Sequence, residues 1–85
     1  MATFSNQAKA ILHDWSNRCT MANEHMFAAQ IHAAAEATMS LGVLDRLMTY
    51  IQIHKPEGRD VIQAEIEKHY RIKPGPGGVE LQIKR

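Results

Sequence analysis

Two side chains with ligand chemistry, His32 and Glu36, stand four residues apart within the alanine-rich stretch FAAQIHAAAEATM, residues 27–39. On a helix that spacing stacks an imidazole and a carboxylate on one face, where both could reach a single metal ion. His25 lies seven residues before His32, about 10.5 Å along a helix axis, too far to complete the set. Two ligands do not hold a metal securely, and neither HExxH nor paired ExxH motifs occur. The pair therefore reads first as a solvated strip with a weak intrahelical contact. It reads second as a buried polar strip fixing helix register in an oligomer, and third as a metal site.

Nucleophilic chemistry has even less support. Cys19 is the single cysteine, and no motif joins it to His13 or His25. A free cysteine on an amphipathic helix behaves as a small buried hydrophobe. His13 and Asp14 are adjacent, so on a helix their side chains diverge by about 100°. The PGPGG segment, residues 74–78, lacks the lysine and the following helix of a phosphate-cradling loop. These residues predict a protein that is not an enzyme and carries no cofactor.

The elements that must position these groups follow from composition and periodicity. A chain of 85 residues makes one small domain, and such chains usually need a staple. With one cysteine no internal disulfide is possible, so oligomerisation is the expected staple, and a lone thiol suits a reducing compartment. No apolar run is long enough to span a bilayer, and MATFSNQAKAIL lacks a basic flank followed by an apolar core. The expected location is the cytoplasm. Formal charge is +1, too weak to indicate nucleic acid from bulk charge alone.

The fold class expected is mainly α, a small three- to four-helix domain with a C-terminal β-hairpin. Phe4, Ala8, Ile11, Leu12, Trp15 and Cys19 recur at helical spacing behind a Ser5 cap, which predicts a helix over about 5–17. A break is expected at Ser16 to Thr20. A second helix, about 21–39, is apolar over most of its circumference, as helices covered by several neighbours are. The stripe Leu44, Leu47, Met48 and Ile51 lies well over a quarter-turn from the Phe27/Ile31 stripe, which places a break at SLG, residues 40–42. A third helix over about 43–54 then ends before Pro56. Asp60 with Gln63 resembles a capping box that opens a fourth helix, about 60–69, with Ile62 and Ile66 inward. Val79, Leu81 and Ile83 alternate at period two, which predicts a hairpin of about 70–73 against 79–84.

Three functional readings follow from these elements. The first is a small interaction module, regulatory, adaptor or inhibitory, acting through protein contacts as a homodimer and with a protein partner. Its interface is expected on the second helix at Met26, Phe27, Ala28, Ile31, Ala34, Ala35 and Met39, where small residues permit close approach and methionine adapts. The alternative is a DNA-binding regulator. Residues 43–85 are laid out like the second half of a winged helix-turn-helix module, which would bring Arg59, Gln63, Lys68, Arg71 and Lys73 to DNA. Against that layout, Asp60, Glu65 and Glu67 share the fourth helix, and anions there oppose phosphate attraction. The third reading is a metal-binding helical protein using His32 and Glu36.

Overall fold

A computed structural model of the chain describes residues 2–75 and 78–84. In chain order it comprises α1 (Asn6–Met21), α2 (His25–Glu36), α3 (Leu41–His54), α4 (Arg59–Glu67), β1 (Tyr70–Gly75) and β2 (Gly78–Ile83). The protein is mainly α with a C-terminal antiparallel hairpin.

Helix α1 starts where its sequence says it should: Ser5 Oγ accepts the Ala8 N–H at 3.2 Å. It does not break between Ser16 and Thr20. Ser16 Oγ donates to the Ala28 carbonyl across the helix pair at 2.9 Å, and Thr20 Oγ1 donates back to the Ser16 carbonyl at 3.1 Å. Neither hydroxyl therefore competes for an amide that the helix ladder needs. Termination comes at Asn23, which sits in the left-handed region at φ 61°. The Asn23 N–H reaches the Thr20 carbonyl and the Glu24 N–H reaches the Cys19 carbonyl, the paired bonds of a Schellman end.

The turn at residues 22–24 folds α2 back on α1. Ser16 meets Ala28 and His13 meets Glu36, so the two helices run in opposite directions. Helix α2 is shorter than its apolar pattern suggests. Ala37 is extended at ψ 164°, and the Met39 N–H donates to the Ala2 carbonyl at 2.8 Å, tying the connection to the N-terminal segment. The break thus falls at residues 37–40, and Gly42 lies inside the first turn of α3 rather than in the break.

Helix α3 ends on Lys55 in the left-handed region at φ 45°, with Pro56 behind it. Arg59 Nη1 donates to the Lys55 and Pro56 carbonyls, both at 3.1 Å, and holds this corner. Gly58 then takes φ 87°, and a Cβ there would come within 2.9 Å of Ile11 Cγ2, so the corner can lie directly on α1 only as glycine. The α4 cap is Gly58, not Asp60. Asp60 occupies the first turn without a capping bond, where its charge favours the positive end of the helix dipole.

The hairpin pairs Tyr70 with Ile83, Ile72 with Leu81 and Pro74 with Val79, and it extends to Gly75 opposite Gly78. Its strands therefore run closer to the tip than the sequence pattern suggests; Pro76 and Gly77 lie outside the described residues. Tyr70, Ile72, Val79 and Leu81 rest half-buried against the helices, β2 on α3 and β1 on α4, while Arg71, Lys73 and Glu80 are exposed on the other face. The core joins Leu12 and Trp15 of α1, Ile31, Ala34 and Ala35 of α2, Leu44, Leu47 and Ile51 of α3, and Ile62 and Ile66 of α4. The radius of gyration, 12.0 Å, matches the roughly 12 Å expected of a compact domain of this length.

Candidate binding groove

The alanine face of α2 is consumed by the chain's own fold. Ala28, Ile31, Ala34 and Ala35 are buried, Ala35 at 0% exposure, with α1 on one side and α3 on the other. Phe27 is half-buried, with its ring 5.3 Å from Tyr50 and 5.6 Å from His54, and Met39 packs against the core. Of the seven residues expected at an interface, only Met26 stands largely in solvent, at 77% exposure. Most of the residues expected at an α2 dimer face thus pack within the chain. The small residues permit a close approach, but the backbone that approaches belongs to the same chain.

The histidine and carboxylate of the polar strip face another partner too. Glu36 Oε1 lies 2.8 Å from His13 Nε2, a residue of α1, and the His13 and His32 rings meet edge to face at 5.1 Å. His32 and Glu36 thus frame an inserted histidine rather than converging on a cation. Among the described residues no group of three or more His, Cys, Asp or Glu is placed to hold a metal ion. The arrangement latches α1 to α2. His25 is exposed at the start of α2.

Cys19 is buried and free. It neighbours Tyr50, whose hydroxyl is pushed well above its ordinary value of 10.0, first by burial, then by the adjacent Cys19 thiol and the Glu24 carboxylate. A tyrosine held neutral among Trp15, Phe27 and His54 is a packing element.

The five residues expected to meet nucleic acid are divided by the fold. Arg59 caps α3, and Gln63 is half-buried. Lys68, Arg71 and Lys73 are exposed, the last two together on the outer face of the hairpin. The exposed side of α4 carries Asp60, Ala64 and Glu67. Glu65 is tied back to α1, accepting the Ser5 N–H at 2.8 Å and the Ser5 hydroxyl at 2.5 Å.

A concavity lies elsewhere, between α3 and the hairpin. One half, about 590 Å³, is lined by Asp45, Met48, Thr49, Gln52 and Ile53 of α3 with Gly75, Gly78, Val79 and Glu80 of the hairpin. The other, about 450 Å³, is lined by Leu41, Gly42 and Asp45 with Val79, Glu80 and Leu81. The halves share Asp45, Val79 and Glu80 and form one open groove. Its α3 bank follows helical spacing, Leu41, Asp45, Thr49 and Gln52/Ile53, over roughly 18 Å of helix. Leu41 at one end is 41% exposed and Ile53 at the other 62%.

The sequence shows Asp45, Thr49 and Gln52 as the outward side of a helix, which is the signal available for this bank. The opposite bank exists only because the hairpin folds back along α3, and nothing in local periodicity reports that. No family model, curated protein or solved structure matches this chain. No helix among the described residues is long and apolar enough to cross a membrane.

Proposed function

We propose that the protein is a small interaction module that works through protein–protein contacts, without chemistry of its own. The observation that carries this reading is the groove between α3 and β2. Its ends are marked by Leu41 and Ile53, large apolar side chains left in water while the rest of their helix closes a core. Grooves with exposed apolar ends and a few polar side chains suit a partner segment, because covering them removes apolar area from water. Met21 and Met26, on either side of the α1–α2 turn, add two flexible apolar side chains on which a partner surface can settle. Ala28, Ile31, Ala34 and Ala35 are already covered by α1 and α3, which favours a face other than theirs for any self-association. A reducing compartment such as the cytoplasm suits the single free thiol.

The test is selection of a random-peptide display library on the folded protein, followed by mapping of the winners by amide chemical shifts. The reading predicts saturable binding with shifts concentrated on α3 and β2. A library that yields no binder to the folded protein refutes it.

The hairpin's outer face favours a second reading. Arg71 and Lys73 stand side by side there, exposed, and could contact phosphates through the wing-like ribbon rather than through α4. Retardation of duplex DNA that falls steeply with salt and is lost in Arg71→Ala would support it; no retardation at low salt would eliminate it.

A further inference from the structure

The two outer edges of the hairpin are not alike. Gln82 pairs with Arg71 and Glu80 with Lys73, and just past the strands the Lys84 N–H donates to the His69 carbonyl at 3.2 Å. In an antiparallel ladder, residues alternate between aiming both backbone groups at the partner strand and aiming both away. Glu80 and Gln82, in phase with Lys84, therefore aim theirs at β1, and Val79, Leu81 and Ile83 aim theirs outward. On β1 the same alternation turns Tyr70, Ile72 and Pro74 outward. Proline has no N–H to offer, so Pro74 blunts the edge of β1 against a further strand. The edge of β2 carries no proline. Among the described residues the sheet has two strands, and no backbone bond outside the ladder reaches Val79, Leu81 or Ile83.

The edge of β2 is also complementary to itself. Laid antiparallel on its own copy about Leu81, it sets Val79 opposite Ile83 and Leu81 opposite Leu81. These are the residues whose outward backbone groups must meet, and each such pair exchanges both N–H···O bonds. Glu80 then falls opposite Gln82, so no like charges face each other across the seam. Sliding the copies one step toward the hairpin tip would oppose Glu80 to Glu80. Sliding them the other way leaves Val79 without a partner inside the strand. Ile83 is 64% exposed, and Leu41, which lines the groove beside Leu81, is 41% exposed. Both lie close to this seam, where a second copy removes their apolar area from water.

We propose that the chain forms a two-fold dimer by pairing the outer edge of β2 with the same edge of a second copy. Two hairpins then join into one four-stranded sheet. The contact uses the same patch on both sides, so it closes at two copies rather than propagating. A two-stranded ribbon is marginal by itself, and doubling the sheet relieves that weakness. The inference rests on the interaction reading above and names a second copy as the protein that covers β2.

Light scattering of the full chain over roughly a hundredfold range of concentration should show the mass rise to two chains and stop there. Hydrogen exchange read by NMR locates the seam. The amides of Val79, Leu81 and Ile83 should gain protection as the dimer fills, while those of Glu80 and Gln82, already bonded to β1, change little. Ile83→Lys replaces both apolar Val79–Ile83 pairs of the dimer and should weaken it roughly tenfold. Ile83 is exposed in the single chain, so circular dichroism of that variant should match the parent. A single-chain mass at every concentration overturns this inference, while peptides that bind α3 and β2 would still uphold the interaction reading. A dimer whose Val79, Leu81 and Ile83 amides stay unprotected, or that ignores Ile83→Lys, overturns it as well. Mass that grows past two chains overturns the closed pair.

Discussion

Removing the indole of Trp15 tests whether this small chain closes its own core. Trp15 heads the fully buried side chains, at 2% exposure, and its Nε1–H donates to the Glu57 carbonyl at 2.8 Å, joining α1 to the α3–α4 corner. Truncating a buried tryptophan to alanine costs about 3–5 kcal/mol. An 85-residue domain has a total stability of roughly 4–13 kcal/mol, so Trp15→Ala should remove between about a quarter and all of it. Trp15→Phe is the graded control. It loses the hydrogen bond, about 1 kcal/mol, and part of the apolar area, about another 1 kcal/mol. Glu57 is exposed, so its carbonyl can turn to water and adds no desolvation penalty. The phenylalanine variant should therefore stay folded, with Tm lowered by roughly 8–16 °C. Urea titrations followed by far-ultraviolet circular dichroism measure both. A Trp15→Ala variant within about 1 kcal/mol of the parent would refute the placement of this side chain at the centre of the core.

Two further outcomes follow from the same packing. Ala35→Glu should unfold the chain at every protein concentration, since a carboxylate placed at full burial costs more than about 3 kcal/mol, whereas Met26→Glu should change stability by less than about 0.5 kcal/mol. A folded Ala35→Glu monomer in light scattering and circular dichroism would contradict the intrachain role of α2. Stability should also fall in alkali. The Tyr50 hydroxyl is raised in the folded state, so its contribution is complete below its ordinary value of 10.0 and declines above it, as the unfolded chain releases a proton that the folded chain keeps. Tyr50→Phe should remove that slope, and tyrosinate absorbance should show one of the two tyrosines titrating only with unfolding.

Much of the fold is legible in the chain because it depends on neighbours a few residues apart. Ser5 caps α1 through an amide three residues on, and the apolar spacing of Leu12, Trp15 and Cys19 sets its inner face. Pro56 closes α3, and the alternation of Val79, Leu81 and Ile83 marks a strand. Other boundaries escaped for a different reason. Ser16 and Thr20 look like helix breakers until their hydroxyls are seen to donate to the carbonyls of Ala28 and Ser16. Gly58 replaces Asp60 as the α4 cap because Ile11, far away in sequence, lies where a Cβ would stand.

The binding surfaces divide along the same line. Composition and helical period are enough to make α2 a helix that must be covered on several sides, since alanine and isoleucine on that much of its circumference have no stable alternative in water. They do not say by whom, because a packed face is chemically the same whether the neighbour is another helix of the chain or a second copy. The fold-back at Asn23 assigns that neighbour to α1 and brings His13 beside Glu36. The groove is a purely tertiary product. Asp45 and Val79 are 34 positions apart, and only the return of β2 along α3 brings them to one groove.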